Sequence, residues 1–290
     1  MTHLLPTSDL PIVTVDAAAA LEAAATRIET PCGDSQSMVW HVWGTGKPVV
    51  LLHGGSGSWN HWVRNIAPLA LAGFQVLVPD LPGFGDSARP PNGHDADALP
   101  EWIEAGLSAL VGTQACELVG FSFGGMVAGF LAAQWPARAR QLILVGAPAL
   151  MDDPGRQLGL KMWKHLPLGA ERDAAIQHNL LALMLSRTPE PLALALHEAN
   201  LGRDRMPRRR LSKTDILRRT LAQVQCPVFG IWGALDALYR GRIEWVQQGL
   251  EAAPQFQSLT LIENAGHWVQ FEEADSFNIA LLRVLSDDAD

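Results

Sequence analysis

A serine flanked by glycines lies where a predicted strand ends and a predicted helix begins. The segment GFSFG at 120–124 follows the predicted strand residues 117–119 and precedes a helical pattern that extends to Gln134. A serine hydroxyl is a weak nucleophile at neutral pH, and a strained strand-to-helix turn presents it to a neighbouring base. Crowding at such a turn explains Gly120 and Gly124. The pattern predicts that Ser122 is a nucleophile, with an ordinary glycine turn as the structural alternative.

Backbone N–H donors are predicted on two sides of Ser122. The loop HGGS at 53–56 follows an apolar strand, and its glycines let the backbone approach a negatively charged intermediate. The helix that begins at Phe123 directs free N–H groups and the positive end of its dipole to the same place. We therefore expect the N–H groups of Gly55 and Phe123 to form an oxyanion hole, and we interpret His53 as structural.

An acid and a base follow two later strands. Asp236 comes after the apolar run 227–232, and His267 lies in NAGHW at 264–268, directly after the predicted strand 256–262. The order serine, aspartate, histidine is the one in which a catalytic triad is assembled on a mostly parallel sheet. The sequence therefore predicts that Asp236 orients His267 and that His267 activates Ser122. Asp152 and Asp153 are reserve acids.

Sequence patterns for metal and dinucleotide binding are not found. The nine histidines show no H-E-x-x-H pair, and the three cysteines are widely spaced, so no metal site and no disulfide framework is expected. The glycine loop DLPGFGD at 80–86 lacks the third glycine of a dinucleotide fingerprint, and we interpret it as the rim of a pocket. We expect no cofactor.

The apolar periodicity predicts an α/β fold with a mostly parallel eight-stranded sheet and helices on both faces. The predicted strands are 27–30, 38–43, 48–53, 74–79, 117–120, 141–146, 227–232 and 256–262, and the predicted helices are 61–72, 99–110, 123–134, 241–251 and 275–285. An alanine-rich helix, 17–25, precedes them and is expected to be capped by Asp16. The turn-rich stretch 31–37 predicts an antiparallel hairpin at one edge of the sheet.

Between residues 148 and 222 the alternation of strand and helix stops. The segment carries helical patterns, for example at 174–186 and 192–201, and no convincing strand. We interpret 148–222 as a helical cap inserted into a core made of 1–147 and 223–290. Because it starts after one strand and ends before the next, it is expected to cover the carboxyl ends of the sheet, where open α/β folds bind ligands.

These residues in this order resemble the α/β-hydrolase superfamily, which implies the fold and a hydrolytic activity. Within it, the segment GHWVQFEEADSFN at 266–278 is similar to the C-terminal motif of meta-cleavage product hydrolases, which break a carbon–carbon bond in ring-fission dienoates. That family carries asparagine before the nucleophile, where this chain has Phe121. A serine esterase with the same fold and the same triad is therefore an equal alternative. The family also binds the dienoate carboxylate with a cap arginine, for which Arg187, Arg203 and Arg205 are candidates.

The aromatic residues next to the predicted catalytic residues indicate an apolar pocket. Phe121, Trp268 and Trp59 are the predicted lining residues, and Phe123 adjoins them. The run RDRMPRRR at 203–210 is the strongest positive feature of an acidic chain. Its structural interpretation is a solvated face of the cap. Its functional interpretation is attraction of an anionic substrate, with Arg203 as the predicted binding residue.

Composition narrows the classes of partner. The 290 residues carry a formal net charge of −8, which argues against a nucleic-acid partner because phosphate neutralisation needs clustered positive charge. Residues 1–11 lack the pattern of a signal peptide, and 17–25 is too short to cross a bilayer, so a cytoplasmic protein without a membrane partner is expected. The expected partner is a small-molecule substrate, and a homodimer stays open.

Two further functions stay open beside ester and carbon–carbon bond hydrolysis. A perhydrolase or haloperoxidase-like activity needs only an acyl-enzyme and peroxide in place of water, with no cofactor. A receptor that holds a small ligand without turnover could use the same pocket. Dehalogenases and epoxide hydrolases of this fold use a carboxylate nucleophile, and serine at position 122 argues against them.

Overall fold

The computed structural model describes residues 14–93, 95–153, 157–206 and 209–286. The predicted absence of a signal peptide at 1–11 concerns residues outside these ranges. Pro207 and Arg208 of the arginine-rich run also lie outside these ranges. Among the described residues, no helix combines the length and the apolar character that a membrane crossing requires.

Eight strands and ten α-helices follow one another along the described chain. The strands are β1 (Thr26–Pro31), β2 (Ser37–Trp43), β3 (Lys47–Leu52), β4 (Phe74–Pro79), β5 (Cys116–Phe121), β6 (Ala139–Val145), β7 (Val228–Gly233) and β8 (Phe256–Ile262). The helices are α1 (Val15–Ala23), α2 (Ile66–Leu71), α3 (Pro100–Val111), α4 (Phe123–Gln134), α5 (Ala170–Leu183), α6 (Pro191–Leu201), α7 (Ile216–Leu221), α8 (Glu244–Leu250), α9 (Val269–Glu272) and α10 (Ala274–Ser286).

All eight strands form a single sheet in the order β1-β2-β4-β3-β5-β6-β7-β8. β2 pairs antiparallel with β1 and β4, and every other pairing is parallel. The predicted fold class and the antiparallel edge hairpin are confirmed. Because the parallel strands run the same way, the segments that follow β3, β5, β6, β7 and β8 all emerge at one edge of the sheet.

Apolar side chains cover both faces of the sheet. On β3, Val50 and Leu52 pack into one buried cluster and Val49 and Leu51 into the other, which is the two-residue alternation of a strand buried on both sides. Helices α3, α4, α7 and α8 contribute to the first cluster, and α1, α2 and α10 contribute to the second. The sheet is therefore a rigid platform for the segments at its carboxyl edge.

Between β6 and β7 the described residues contain helices α5, α6 and α7 and no strand. Leu180 of α5 and Leu192 of α6 pack into the second apolar cluster, and Leu217 of α7 packs into the first. The segment is thus anchored to the core by its own apolar side chains. The division into a cap at 148–222 and a core at 1–147 and 223–290 stays a prediction.

Element boundaries were predicted well where the chain is apolar and less well at helix starts. All eight strands lie within two residues of their predicted ends. The helix predicted at 61–72 is a 3-10 turn at Trp59–Trp62 followed by α2 at Ile66–Leu71. Pro68 has no N–H and is tolerated only in a first turn, so α2 begins two residues before it.

The predicted N-terminal cap was wrong. The Thr14 hydroxyl, and not Asp16, accepts the capping hydrogen bond, from the N–H of Ala17 at 3.1 Å. Asp16 lies inside the first turn of α1, where its charge faces the positive end of the helix dipole.

Candidate active site

Ser122 occupies the turn between β5 and α4 in a strained conformation. Its φ of 52° lies in the left-handed region that residues with a side chain rarely adopt. Its N–H donates to the carbonyl of Val145 at the end of β6, at 2.8 Å. The neighbouring strand therefore holds the turn that exposes the hydroxyl.

The glycines on either side of Ser122 are required by close backbone contacts. A Cβ on Gly120 would lie 2.5 Å from the carbonyl oxygen of Gly124, and a Cβ on Gly124 would lie 2.3 Å from the carbonyl oxygen of Leu52. Any other residue at these positions would push α4 away from β3 and β5. The crowding predicted from the G-x-S-x-G spacing is present.

His267 lies between Ser122 and Asp236 at hydrogen-bonding distance from both. Its Nε2 is 2.9 Å from Ser122 Oγ, and its Nδ1 is 2.9 Å from Asp236 Oδ2. With the proton on Nδ1, the imidazole donates to the carboxylate and its Nε2 accepts from the serine hydroxyl. His267 and Asp236 are only 2% and 1% exposed, so little solvent competes for these contacts. The structure brings together the three residues that the sequence predicted as a triad.

The loop after β7 holds the Asp236 carboxylate from the other side. Its Oδ1 accepts the N–H of Leu238 at 2.8 Å, while Oδ2 faces His267. The carbonyl of Asp236 accepts the N–H of Tyr239, whose hydroxyl donates to Ala147 O after β6. The carboxylate thus has a fixed orientation.

The loop after β3 is fixed by two buried histidines. His53 Nδ1 donates to Gly54 O at 2.8 Å, and its Nε2 accepts the N–H of Leu81 at 2.9 Å. Burial lowers the pKa of His53 to about 4, so the ring is neutral and both nitrogens are used. The N–H of Gly54 donates to His61 Nδ1 at 3.3 Å, and burial holds the pKa of His61 well below its ordinary value. His53 therefore has structural contacts on both nitrogens.

Glu272 joins the loop that carries His267 to the segment after α5. Its Oε2 accepts the N–H of Gly266 at 2.6 Å, and its Oε1 accepts the N–H of Ser186 at 2.8 Å. The Ser186 hydroxyl in turn donates to Asn264 O, and Trp268 N–H donates to Met184 O. Burial raises the pKa of the Glu272 carboxyl. Glu272 was not among the predicted site residues, although it falls in the motif at 266–278.

A cavity of about 150 Å³ opens onto Ser122 and His267. Most of its wall is apolar, and the predicted lining residue Phe121 contributes to it together with Phe123. Gly54 and Gly55 form one side of the cavity. The segment between β6 and β7 contributes to the wall, with Leu158, Leu183, Met184, Arg209 and Ser212.

Three residues predicted to bind substrate lie outside this cavity wall. Trp59 donates its backbone N–H to Asp80, and the centre of its ring lies 5.7 Å from that of Trp43. Trp268 stacks on Phe271 at 4.2 Å, and its indole N–H donates to His61 O at 3.0 Å. Arg203 donates to Asp86 at 2.7 Å. The structure does not bring these three side chains to the cavity wall, and their contact with a substrate stays a prediction.

Among the described arginines of the run, Arg209 reaches the cavity. Its guanidinium lies 5.3 Å from the ring centre of Phe84 and 5.9 Å from that of Phe123. Arg187 and Arg205, two of the three arginines predicted to bind a carboxylate, have partners elsewhere. Arg187 pairs with Glu273, and Arg205 donates to backbone carbonyls of the loop after β4. Spacing alone could not single out Arg209 among adjacent arginines.

No group of three or more histidine, cysteine, aspartate or glutamate side chains within the described ranges has the arrangement of a metal site. Asp152 and Asp153, the reserve acids, are not the partners of His267, and Asp153 pairs with Arg242 at 2.9 Å. The residues that converge on the cavity are therefore suited to chemistry by a hydroxyl, an imidazole and a carboxylate.

Comparison with known proteins identifies the family. The sequence profile of the alpha/beta hydrolase fold matches residues 47–274. The chain belongs to this family. Among solved structures, the hydrolase superposes on a bromoperoxidase from Bacillus anthracis with a TM-score of 0.72 and 25% identity, covering 90% of this chain and 100% of that one.

Characterised relatives of this α/β-hydrolase include carbon–carbon bond hydrolases. It is 28% identical to a 2-hydroxy-6-oxo-6-phenylhexa-2,4-dienoate hydrolase of Burkholderia cepacia, over 84% of this chain and 89% of that protein. A meta-cleavage product hydrolase from Pseudomonas fluorescens superposes with a TM-score of 0.72 at 24% identity, covering 87% of this chain and 95% of that one, and shows the shared fold.

The buried His53 generates a prediction about stability and pH. Its folded pKa of about 4 lies below the ordinary value of 6.5, so the unfolded chain takes up a proton first as pH falls. The His53 contribution is therefore fully present above pH 6.5 and is lost as pH falls towards 4, by roughly 3 kcal/mol. Denaturant unfolding between pH 7 and 4 should show a shallower pH dependence for His53→Gln than for the parent.

His165→Gln, which replaces an exposed histidine, is the matched control for the substitution itself. An unchanged slope in His53→Gln would contradict the assignment of His53 as a buried neutral histidine.

Glu272→Gln should impair turnover while leaving the protein folded. The amide nitrogen would face an N–H group of Gly266 or Ser186, so one contact of the His267 loop is lost. A hydrogen bond to a charged acceptor contributes about 1.5–3 kcal/mol, so we expect kcat to fall roughly tenfold or more, with a shifted pH profile. Glu273→Gln, which removes the partly exposed neighbouring charge, should keep the parent's kcat. Equal losses in both variants would show that Glu272 has no specific effect on His267.

Proposed function

We propose that the protein is a serine hydrolase in which Ser122 is the nucleophile, His267 the general base and acid, and Asp236 the residue that orients His267. The observation that carries this proposal is the continuous series of two 2.9 Å contacts from Asp236 through His267 to Ser122. Buried groups arranged in this way convert a weak hydroxyl into an effective nucleophile.

In the first half of the reaction, Ser122 Oγ attacks the scissile carbonyl carbon while its proton passes to His267 Nε2. The imidazolium that forms is stabilised by the Asp236 carboxylate. The carbonyl oxygen becomes an oxyanion and is stabilised by backbone N–H groups. Gly55 and Phe123 are the proposed donors. Phe123 is the first residue of α4, so its N–H has no acceptor within the helix. The N–H of Gly54, which precedes Gly55, already donates to His61 Nδ1 and is therefore not a proposed donor.

Collapse of the intermediate breaks the bond to the leaving group, which takes the proton from His267. Ser122 then carries the acyl group as an ester. Water attacks this ester while His267 accepts one of its protons, and the acid product leaves as His267 returns the proton to Ser122 Oγ. No step needs a further reactant.

The small volume of the cavity favours a small acyl group. Its volume of about 150 Å³ lies below the ~300–1,000 Å³ of most ligand sites. Phe121 packs 5.0 Å from the His267 ring, so the wall beside the nucleophile is apolar. We propose that residues 148–222 act as the cap over this cavity, since Leu183 and Met184 form part of its wall. A short-chain carboxylic ester fits this space.

Hydrolysis of a carbon–carbon bond in a ring-fission dienoate is the second candidate. The curated relatives with this activity are 27–29% identical over most of the chain. Phe121 before the nucleophile and the small cavity support the ester instead. A bulky dienoate would require the cap to move away from Ser122.

Ser122→Ala should reduce turnover by at least ~10³-fold, because the acyl-enzyme cannot form. The measurement is the rate with each substrate that the parent accepts, together with labelling by a fluorophosphonate. Ser212→Ala is the matched control, since Ser212 is the other serine of the cavity wall and should retain turnover and labelling. Near-parental rates in Ser122→Ala would refute the mechanism. Labelling of the parent without any turnover would support the receptor alternative.

A comparison of substrates separates ester from carbon–carbon bond hydrolysis. We expect kcat/KM for 4-nitrophenyl esters to be highest with short acyl chains and to decrease as the chain outgrows the cavity. Turnover of 2-hydroxy-6-oxo-dienoates should be lower than that of the best ester. A strong preference for the dienoates would instead assign the chain to carbon–carbon bond hydrolysis.

A further inference from the structure

Residues 160–168, between β6 and α5, carry large apolar side chains that stand in solvent. Met162 and Leu168 are the most exposed large apolar side chains of the described chain, at 79% and 86%, and Leu160 is about half exposed. Contact between water and apolar surface is unfavourable, so several such side chains in one short segment indicate a surface that a partner covers. We call residues 160–168 the exposed loop.

The backbone of the exposed loop has a fixed shape. The N–H of Leu166 donates to the carbonyl of Trp163 at 3.0 Å, which closes a turn between the two most exposed side chains. Before this turn, the side chain of Asn179 on α5 accepts the N–H of Lys161 at 2.7 Å and donates to its carbonyl at 2.8 Å. The loop is therefore bound to α5 through its backbone, while its side chains stay exposed.

The exposed loop is also positively charged in an otherwise acidic protein. Lys161 and Lys164 are exposed, and neither pairs with a carboxylate among the described residues. The ring centre of Trp163 lies 5.7 Å from Lys164 Nζ and 5.0 Å from the guanidinium of Arg172. Trp163 and Lys164 also line a surface cleft together with Arg89. The loop thus combines apolar side chains with several cations.

Carboxylates do not offset this charge within the loop itself. The chain from 157 to 170 contains no acidic residue. Acidic residues resume at Glu171 and Asp173 in the first turn of α5, where the positive end of the helix dipole opposes their charge.

Apolar and cationic side chains that alternate in one exposed segment match the surface of an anionic lipid layer. Such a surface offers hydrocarbon beneath a negatively charged layer, so apolar side chains can enter while lysine ammonium groups stay among the headgroups. Tryptophan favours the boundary between the two. The formal charge of −8 opposes contact through the rest of the protein, so the contact would have one orientation.

We propose that the exposed loop docks the protein on a negatively charged lipid surface. Met162 and Leu168 enter the hydrocarbon boundary, and Lys161 and Lys164 bind the headgroup phosphates. The contact is peripheral, since no described helix is suited to cross a bilayer, and it departs from the expectation of no membrane partner. Leu158, two residues before the loop, lines the catalytic cavity, so docking brings this cavity close to esters dissolved in the lipid.

Co-sedimentation of the full chain with lipid vesicles tests the proposal. At low ionic strength the parent should bind vesicles of phosphatidylcholine with phosphatidylglycerol and not those of phosphatidylcholine alone, and salt should weaken binding. Replacing Met162 and Leu168 together by serine should lower the partition coefficient by roughly tenfold or more. Lys161→Gln and Lys164→Gln should each lower it roughly fivefold.

Two exposed residues outside the loop provide matched controls. Ile279→Ser removes an apolar side chain on α10 that is 62% exposed, and Lys213→Gln removes an exposed lysine elsewhere between β6 and β7. Both variants should bind the anionic vesicles as the parent does. Thermal unfolding at the parent's temperature would show that the loop variants are folded.

Three results would overturn the proposal, namely no binding to the anionic vesicles, equal binding to the neutral ones, or equal losses in the two control variants. Sedimentation of the parent without lipid tests the other occupant of the loop. A dimer that dissociates when Met162 and Leu168 are replaced, without vesicle binding in the parent, would assign the loop to a contact between copies and overturn the lipid surface. The vesicle assay needs no turnover, so its result is independent of the serine mechanism.

Discussion

The convergence of five strand ends at one edge of a parallel sheet is the constraint on which the candidate site depends. Ser122, Asp236 and His267 follow β5, β7 and β8, and the HGGS loop follows β3. Apolar clusters on both faces fix the sheet, so the strand ends cannot separate without exposing the core. The strain of the left-handed Ser122 is sustained in the same way, since its N–H is bound to the end of β6.

Buried polar side chains then fix the loops that leave this edge. Asp80 accepts the N–H groups of Trp59 and Asp86, His53 bridges Gly54 and Leu81, and Glu272 bridges Gly266 and Ser186. Each satisfies backbone groups that a buried loop would otherwise leave without partners. Burial also shifts the pKa values of these ionisable side chains. Burial raises the pKa values of Asp80 and Glu272 and lowers that of His53 to about 4.

The segment between β6 and β7 supplies an apolar part of the wall of the catalytic cavity. Leu183 and Met184 form part of this wall beside Ser122 and His267. Arg209 of the same segment also lines the cavity. This apolar wall is the physical basis of the proposed preference for a short acyl group.

The sequence by itself determined the fold class, the eight strands and the chain order of Ser122, Asp236 and His267. These depend on local patterns, namely apolar runs, the crowded glycines around Ser122 and turn residues after each strand. Which side chains face the cavity was decided only by the tertiary structure. Trp59, Trp268 and Arg203 adjoin the site in sequence but turn towards Trp43, Phe271 and Asp86, whereas Arg209 turns inward. The direction of a side chain depends on partners that are distant in the chain, and no local pattern encodes them.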